Sequence, residues 1–300
     1  MSLQSIKNCI FNQKRVFLRV DFNVPLKNSQ IIDDFRLQAT APTIQAILAT
    51  KPAKLIIASH MGNPTPGAAD PHLSTKHLLP WLSQHGIQAT IAQDIAAVAQ
   101  SNAPIMLLEN LRFFPGEKPA TRAFAQQLAT LADVYVNDAF GTMHRADASV
   151  TLLAQRFARS NRCIGLLVEK EIAALEHLKT NPKQPFILVL GGAKLDDKIP
   201  LIKNLFDAPL THRVQTVLIG GALAQPFLKA LGKPTGATPI STAAVTAAQT
   251  VMQQAAKQNL ALEFPIDCLA INGPLGSAPG VYAINTLPPT HQCVDIGPAT

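Results

Sequence analysis

The sequence predicts an α/β protein with two domains, each built on a parallel β-sheet that carries helices on both faces. Short β-branched and aliphatic runs alternate along the chain with amphipathic stretches of helix length, and strands separated by helices form βαβ units. A length of 300 residues suits two domains, and a hydrophobic content of 47% provides for a sizeable core in each. With 15% charged residues, the composition excludes a disordered chain.

Seven runs have the composition of buried strands: residues 15–20, 54–59, 104–109, 133–137, 185–190, 214–219 and 268–271. Between them lie amphipathic stretches at residues 43–48, 75–83, 120–131, 222–231 and 242–258. Thr40 and Pro42 are typical of a helix start, so we expect the first helix to begin there, with Arg36 just before it.

The segment 166–183, LLVEKEIAALEHLKTNPK, is typical of a charged amphipathic helix. It ends before Pro182, because the residue before a proline resists the α conformation. A polar helix between two series of βα units indicates a connector, and the alternative is one more helix packed on the first sheet. We therefore expect two Rossmann-like parallel-sheet domains at 1–165 and 183–300, joined by a connector helix at 166–182.

The composition also excludes several classes of protein. No apolar run approaches the roughly 18 residues that a membrane span needs, and the N-terminus MSLQSIKNCIF lacks the features of a signal peptide. The cysteines form no CxxC pair and are far apart, at Cys9, Cys163, Cys268 and Cys293. A zinc site and a disulfide framework are therefore not expected, and the sequence predicts a soluble cytoplasmic protein without a membrane partner.

The positive charge is concentrated in the first half of the chain. The net charge is +7; residues 1–165 hold 16 basic and 10 acidic side chains, against 10 and 9 in residues 166–300. Nine of the ten arginines lie in the first part. Because the planar guanidinium suits carboxylates and phosphates, this asymmetry indicates a small anionic ligand or a nucleic acid, and the alternative is a merely basic surface.

Polar side chains follow the predicted strands of the first domain, at the point where each strand ends. They are Asp21, Asn23, His60, Asn63, Arg112, His144 and Arg145, with Arg36 near the first helix. The carboxyl ends of parallel strands meet at one edge of a sheet, where ligands bind in open α/β folds. Each residue alone is a weak signal, but together they predict a basic pocket for a small phosphorylated or carboxylated ligand.

Glycine pairs follow two predicted strands of the second domain. Gly192 ends the first pair and is followed by Lys194 and Lys198, and Gly220 and Gly221 form the second pair. Such turns let backbone N–H groups approach a phosphate. A single glycine pair more often marks only a tight turn, and neither a Walker A loop nor a GxGxxG motif is present. Two pairs at strand ends, one followed by two lysines, favour a nucleotide site.

Other patterns of catalytic residues are not found in the sequence. No His, Asp and Glu residues have the spacing of a metal site, and no serine lies in a nucleophile elbow. Glu109 and Asp138 are interpreted as structural carboxylates. We therefore expect no metal ligand among these side chains.

The most specific motif is RVDFNVP at 19–25. It is followed in order by IDDFRLQATAPTI (32–44), SHMGNP (59–64), LLENLRFFPGE (107–117), VNDAFGTMHRADAS (136–149), LGGAKLDDKI (190–199), IGGALAQPFL (219–228) and DIGPAT (295–300). Together these segments resemble the phosphoglycerate kinase family, and the resemblance covers essentially the whole chain.

The resemblance implies reversible phosphoryl transfer between 1,3-bisphosphoglycerate and ADP, which gives 3-phosphoglycerate and ATP, in glycolysis. It implies that phosphoglycerate is bound by Asp21, Asn23, Arg36, His60, Arg112, His144 and Arg145, together with the position of Asn63. It also implies a nucleotide, bound with Mg²⁺ as ATP or ADP, at Gly192, Lys194, Lys198, Gly220 and Gly221.

The chemistry implied by the resemblance needs no general base, because both nucleophiles are already ionised at neutral pH. It needs in-line positioning and cancellation of charge on the transferring group. Arg36 and Lys194 are the candidates for this catalytic role, one from each domain, which would require the two domains to close. The expected partners are small molecules rather than nucleic acid, and we expect a monomer.

Three positions depart from the family pattern. Asn63 stands where the family normally has Arg, Asp147 where it usually has His, and Ala299 where it has Lys. Two partly exposed charges ~8 Å apart interact by roughly 0.5–2 kcal/mol. We therefore expect the affinity for phosphoglycerate to be several-fold lower, but not abolished.

The sequence given stops at DIGPAT, whereas the family continues with glycine-rich and acidic segments that meet the nucleotide and Mg²⁺. The expectation is therefore an incomplete second domain and little or no turnover by these 300 residues. One alternative is a shortened homologue that binds phosphoglycerate without phosphoryl transfer. A basic nucleic-acid or interaction module is a weaker alternative, because no aromatic platform accompanies the basic residues.

Overall fold

A computed structural model describes residues 4–65, 67–180, 182–192 and 214–300 of the chain. The chain divides into two compact units, Met1–Leu175 and Glu176–Thr300. The dividing point falls inside the helix Leu166–Thr180, which the sequence predicts as the connector. The domain limits at residues 165 and 183 stay a prediction.

The first unit is built on a six-stranded sheet whose pairings are all parallel. Its strands and one short hairpin are, in chain order, β1 (Arg15–Val20), β2 (Leu26–Lys27), β3 (Gln30–Ile31), β4 (Lys54–Ala58), β5 (Thr90–Ala92), β6 (Ile105–Leu108), β7 (Val134–Asp138) and β8 (Arg162–Ile164). The sheet order is β5-β6-β4-β1-β7-β8, and β2 pairs with β3 separately. The four strands predicted here are confirmed to within one residue at each end.

The α-helices that begin in this unit are α1 (Phe35–Ala49), α2 (Leu79–Gln84), α3 (Ile95–Gln100), α4 (Arg122–Ala129) and α5 (Leu166–Thr180). Short 3-10 helices lie at Ile6–Asn8, Pro71–Leu73, Thr75–Leu78, Leu111–Phe113, Phe140–Thr142, Ala154–Arg156 and Arg159–Asn161. Several turns begin at a capping side chain; for example, the Thr121 hydroxyl accepts a hydrogen bond from the backbone N–H of Phe124 at 3.4 Å at the start of α4.

Helix α1 begins at Phe35, so the predicted start at Thr40 and Pro42 is wrong. A carboxylate oxygen of Asp33 accepts a hydrogen bond from the backbone N–H of Phe35 at 2.9 Å, and Asp34 occupies the N-cap position. Aspartates are strong helix-start residues, and here they act several residues before the proline. Arg36 therefore lies in the first turn of α1 rather than before the helix.

Two predicted helical stretches are each divided at a proline. The stretch 75–83 forms a 3-10 turn followed by α2, and the stretch 222–231 forms a 3-10 turn, Gly221–Ala224, followed by α6 (Gln225–Ala230). Pro80 and Pro226 lie in the first turn of the α-helix that follows. Proline has no N–H to donate inside a helix but is tolerated in the first turn, so a new helix starts there.

The core of the first unit lies on both faces of its sheet. Alternate residues of β1 enter different clusters: Leu18 packs with Leu37 and Ile44 of α1, whereas Phe17 packs with Leu128 of α4 and Tyr135 of β7. The side chains of β1 are buried except for that of Arg15 at its start. Strands buried on both faces are the expected result of a parallel sheet covered by helices.

The second unit contains a three-stranded parallel sheet in the order β11-β10-β9. Its strands are β9 (Phe186–Leu190), β10 (Val214–Ile219) and β11 (Ala261–Glu263), and the helices α6 and α7 (Thr242–Lys257) pack against it. One face is buried under Phe227 of α6 and Val251 of α7. The other face exposes Ile187 and Val189, at 49% and 71%.

The predicted strand at 268–271 lies in a separate antiparallel sheet, which the second unit has in addition to the predicted parallel sheet. It is β12 (Asp267–Ile271), and it pairs antiparallel with β13 (Gly280–Ala283) and β14 (Gln292–Ile296). A short 3-10 turn, Ile284–Thr286, follows β13. The links from β12 to β13 and on to β14 are too short for the crossover helix that parallel neighbours require.

One disulfide bond joins Cys9 and Cys163, although the spacing of the cysteines predicts no disulfide framework. They are 154 residues apart in sequence. The fold brings them together because the N-terminal segment lies along β8, where the backbone N–H of Ile164 donates to the Gln4 carbonyl at 2.8 Å. Within the part of the chain that is described, no helix has the length and apolarity to cross a membrane.

Candidate functional site

The first unit gathers polar side chains at the carboxyl edge of its sheet. The neighbouring strands β6, β4, β1 and β7 end side by side there. Each strand leads directly into a segment with polar residues, namely Asn110 and Arg112, His60, Asp21 and Asn23, and the loop to His144 and Arg145. The strand order thus explains why residues distant in sequence meet at one edge.

Asp21 and Arg36 form an ion pair at this edge. The guanidinium Nη1 of Arg36 lies 2.6 Å from the Oδ2 atom of Asp21, whose side chain is 10% exposed. Gly141, on the loop after β7, lies against the same carboxylate, so that a Cβ atom added there would be 2.9 Å from Oδ2. The pair holds the half-exposed Arg36 side chain, 51% exposed, at the mouth of the site.

The loop that carries His60 is fastened by two asparagines. The Oδ1 atom of Asn23 accepts a hydrogen bond from the backbone N–H of Gly62 at 2.8 Å. Asn110 accepts from the backbone N–H of Met61 at 3.0 Å and donates to the Met61 carbonyl at 2.7 Å. These bonds fix the backbone on either side of Met61, so the buried His60 ring has a defined place.

Arg112 is buried beside this loop. Its guanidinium donates to the Gly62 carbonyl, and its backbone N–H donates to Asn110 Oδ1 at 3.0 Å. Its Nε atom is buried and has no hydrogen-bond partner. Burial lowers the pKa of Arg112, and repulsion from Arg145 lowers it further. The two guanidinium groups therefore repel each other across the site.

His60 lies among these cations with 1% of its surface exposed. Neither ring nitrogen has a hydrogen-bond partner. Burial lowers the pKa of His60 to about 2, and four arginines lower it in the same direction: Arg19, Arg112, Arg145 and Arg36. The imidazole is therefore neutral near pH 7. A neutral ring surrounded by guanidinium groups is the arrangement expected where an anion binds.

Arg19 is a member of this cluster that the sequence did not identify. It is fully buried, and it donates from Nε to the Ser149 hydroxyl at 2.9 Å and from Nη1 to the Val20 carbonyl. The buried Glu117 accepts hydrogen bonds from the Ser149 hydroxyl and the Ser149 backbone N–H, at 2.5 and 3.0 Å. Burial raises the pKa of Glu117, and Arg19 opposes that rise. The RVDFNVP motif begins at Arg19, and its position in this motif was the one feature of the sequence that could have identified it.

Asp147 lies within the same cluster, as its place in the sequence suggested. Its side chain is 7% exposed, and its Oδ2 atom is buried without a partner. Its negative charge raises the pKa of Arg112 and, to a small extent, that of Glu117. The carboxylate therefore offsets part of the positive charge of the pocket.

The remaining predicted residues of the first unit are more exposed than His60 and Arg112. His144 is exposed and Arg145 is half-buried, both on the loop after β7. Asn63 is exposed and accepts a hydrogen bond from the ammonium of Lys118 at 2.9 Å.

The two carboxylates interpreted from the sequence as structural, Glu109 and Asp138, accept hydrogen bonds from neighbouring segments. Glu109 accepts from the backbone N–H and hydroxyl of Thr75, and the buried Asp138 accepts from the backbone N–H of Val168.

The glycine pairs of the second unit lie against each other. The backbone N–H of Gly220 donates to the Leu190 carbonyl at 2.8 Å, and that of Leu223 donates to the Gly192 carbonyl at 3.1 Å. Gly192 and Gly221 have φ angles of +137° and +61°, which side chains rarely adopt. The two turns thus present closely spaced backbone at the ends of β9 and β10. Lys194 and Lys198 lie outside the described residues.

The described residues fit the phosphates of a nucleotide better than they fit Mg²⁺. Glycine turns of this kind can let an anion approach backbone N–H groups, although the N–H of Gly220 is already bonded to the Leu190 carbonyl. Mg²⁺ is usually held by carboxylates together with phosphates. Over residues 4–65, 67–180, 182–192 and 214–300, no group of three or more His, Cys, Asp and Glu side chains is placed to hold a metal ion.

The chain is similar to known proteins along its whole length. The sequence model named "Phosphoglycerate kinase" matches residues 6–300. The phosphoglycerate kinases of Moorella thermoacetica and Thermomicrobium roseum are each 37% identical to it, over 308 and 311 residues, which cover 100% and 99% of this chain and 76% of each relative.

Solved structures give the same result. Phosphoglycerate kinase from Coxiella burnetii matches with a TM-score of 0.79 at 32% identity, over 99% of this chain and 75% of that one. Phosphoglycerate kinase from Pyrococcus horikoshii matches with a TM-score of 0.79 at 25% identity, over 99% and 76%. The family match and the identity to full-length relatives confirm the resemblance seen in the motifs, and the chain belongs to the phosphoglycerate kinase family.

Proposed function

We propose that the polar edge of the first sheet binds 3-phosphoglycerate and that the glycine turns of the second unit bind ADP or ATP. The reaction is the reversible transfer of a phosphoryl group between 1,3-bisphosphoglycerate and ADP. The observation that carries the proposal is the buried, neutral His60, whose pKa is held at about 2 by burial and by four arginines. Asp21, Glu117 and Asp147 offset only part of the charge of these four arginines, so the arrangement favours an anionic ligand.

The available donors suit a ligand that carries both a phosphate and a carboxylate. Arg112 has a buried Nε and Arg19 a buried Nη2 without a partner. A neutral His60 offers one N–H donor and one acceptor, which fits the hydroxyl and anionic groups of phosphoglycerate. Arginine forks bind phosphate and carboxylate oxygens in pairs, which adds orientation to charge.

The transfer step itself calls for positioning and charge cancellation rather than proton removal. A carboxylate and a phosphate oxygen are both ionised near neutral pH, so a general base is not required. We assign the cancellation of charge on the transferring group to Arg36, which Asp21 holds at 2.6 Å, and to Lys194, through the family resemblance. His144 and Arg145 complete the binding of the substrate at the rim.

The nucleotide phosphates are assigned to the backbone at Gly192, Gly220 and Gly221, with Lys198 nearby in sequence. Mg²⁺ supplies charge neutralisation on the phosphates when it is bound with the nucleotide. Since the described residues form no metal-binding cluster, no step is assigned to the metal here.

Calorimetric titration with 3-phosphoglycerate tests the binding half of the proposal. We expect saturable binding of one ligand that Arg112→Gln weakens, with the fold of the variant checked by circular dichroism. A chain that binds no 3-phosphoglycerate while remaining folded would overturn the proposal.

A coupled assay with 3-phosphoglycerate, ATP and Mg²⁺ tests the transfer half. Turnover that Lys194→Ala abolishes supports phosphoryl transfer by these 300 residues. Binding of 3-phosphoglycerate without turnover supports instead a protein that binds phosphoglycerate and does not transfer the phosphoryl group.

A further inference from the structure

Lys118 lies on the loop that follows Arg112 and contacts the loop that carries His60. The segments around residues 60–64 and 112–118 meet at two points. The guanidinium of Arg112 donates to the Gly62 carbonyl, and the ammonium Nζ of Lys118 donates to the Oδ1 atom of Asn63 at 2.9 Å. The first contact is partly buried, and the second is exposed. The ammonium of Lys118 therefore sits at the outer edge of the loop that carries His60.

The local backbone directs Lys118 outward. Its neighbour Glu117 is fully buried, where its carboxylate accepts hydrogen bonds from Ser149. Lys118, the next residue in this turn, is exposed. The inward carboxylate thus fixes the segment from which Lys118 extends.

Lys118 has an amide partner but no counter-charge. Among the described residues, the ion pairs formed by lysine and arginine are Lys7–Glu169, Arg15–Asp133 and Arg36–Asp21. Lys118 is not in this set, and its hydrogen bond to Asn63 leaves its charge unneutralised. An ammonium donates up to three hydrogen bonds, so it has further donors for a ligand.

Asn63 itself brings no charge to the rim, although the sequence resemblance places an arginine at this position. We propose that Lys118 supplies the missing cation and binds 3-phosphoglycerate directly, while Asn63 positions its ammonium. This inference rests on the proposed function. Lys118 belongs to a different loop segment from position 63. Because the two segments are in contact, the Lys118 ammonium can take the place of a cation at position 63.

Titration calorimetry with 3-phosphoglycerate tests this assignment on the complete 300-residue chain. We expect Lys118→Met to raise the Kd about five-fold, the effect of losing one well-placed exposed charge pair. Lys118→Arg keeps the cation and is expected to bind within about two-fold of the unchanged chain. The increase in Kd should shrink with added salt, because exposed charges are screened.

A matched control removes the same charge from the opposite edge of the sheet. Lys51 is exposed and lies shortly before β4, whose other end leads to His60. Lys51→Met is expected to leave the Kd unchanged. A second variant adds the cation back at the other position: in the Lys118→Met background, Asn63→Arg is expected to restore the affinity.

The outcomes separate this inference from the proposed function. If the unchanged chain binds 3-phosphoglycerate and Lys118→Met binds as tightly as Lys51→Met, the role of Lys118 is overturned and the proposed function stands. If the folded, unchanged chain binds no 3-phosphoglycerate, both are overturned. Thermal unfolding of each variant controls for folding. Because Lys118 is exposed, replacing it is expected to leave the melting temperature unaltered.

Discussion

The Nδ1 atom of His60 lies 3.9 Å from a carboxylate oxygen of Asp21, yet the two do not form a charged pair. Burial and the surrounding arginines hold the pKa of His60 at about 2, and Asp21 pairs with Arg36 instead. A protonated ring would add another positive charge to four guanidinium groups. The cluster therefore keeps its histidine neutral, and both ring nitrogens are buried without a hydrogen-bond partner.

This arrangement predicts that acid destabilises the ligand-free protein through His60. In the unfolded chain the imidazole takes up a proton below about pH 6.5, whereas in the folded chain its pKa is about 2. Between these values the unfolded state binds more protons, so stability falls as the pH falls. The loss reaches about 2 kcal/mol at pH 5, at about 1.4 kcal/mol per pH unit.

Urea unfolding of the unchanged chain and of His60→Asn, at pH 7 and pH 5, measures this loss. The asparagine does not titrate, so the variant should lose less stability over the same range. Subtracting the variant's loss of unfolding free energy from that of the unchanged chain removes the contributions of other groups. One such group is Asp133, whose pKa is lowered by its hydrogen bond to Arg15. Equal losses in both proteins would contradict the prediction.

Arg112→Gln is predicted to weaken the binding of 3-phosphoglycerate roughly 10- to 100-fold, the range expected for a lost charge-assisted hydrogen bond. The guanidinium donates to the Gly62 carbonyl, and its Nε atom is buried without a hydrogen-bond partner. The measurement is the Kd by titration calorimetry. The control is Arg15→Gln, because Arg15 pairs with Asp133 at the amino end of β1, away from the site. The same change in Kd for both variants would rule out a specific role for Arg112.

Local sequence patterns predicted seven of the strands and the sheet edge at which the polar residues gather. Strands β1 and β10 are confirmed at both ends, because each is an aliphatic run bounded by polar residues or glycine. The polar residues that follow β1, β4, β6 and β7 lie at one edge, because the parallel order brings those ends together. This part of the site depends only on short-range pattern and a general property of parallel sheets.

The remaining features depend on contacts between distant residues, which local patterns do not contain. Arg19 lies inside a strand, and only the fold shows that Ser149 and Glu117 surround it. The pairing of Cys9 with Cys163 likewise follows from the path of the N-terminal segment along β8. The wrong start predicted for α1 was a local error, because the aspartates before Phe35, and not the proline at position 42, mark where the helix begins.

Gly141→Ala is predicted to raise the Kd for 3-phosphoglycerate roughly three- to tenfold, the effect of weakening one hydrogen-bonded contact. The new Cβ would lie 2.9 Å from Asp21 Oδ2, the atom that holds Arg36. The carboxylate must then move, and Arg36 loses its fixed position.

The control for this variant is Gly86→Ala. Gly86 has a φ angle of +76° and open space around it, so an alanine there costs about 1 kcal/mol of stability without touching the site. Binding is measured by calorimetry and stability by urea unfolding. The prediction fails if Gly141→Ala binds as tightly as the unchanged chain.

Gly192→Ala is predicted to weaken the binding of ADP by the second unit. At a φ angle of +137° an alanine is strained, so the turn after β9 must change its backbone conformation. That turn accepts a hydrogen bond at 3.1 Å from Leu223, beside the Gly220–Gly221 turn that is proposed to hold the phosphates. A shifted backbone no longer presents its N–H groups to the same point, so the affinity for ADP falls.

A matched glycine in the same unit separates this effect from general strain. Gly232 has a φ angle of +72°, open space around it, and a place just after α6. Gly232→Ala should cost about 1 kcal/mol of stability and leave ADP binding unchanged, whereas Gly192→Ala should lower the affinity. Titration with a fluorescent ADP analogue, with and without Mg²⁺, provides the measurement. Equal affinities in the two variants would mean that the glycine turn does not bind the phosphates.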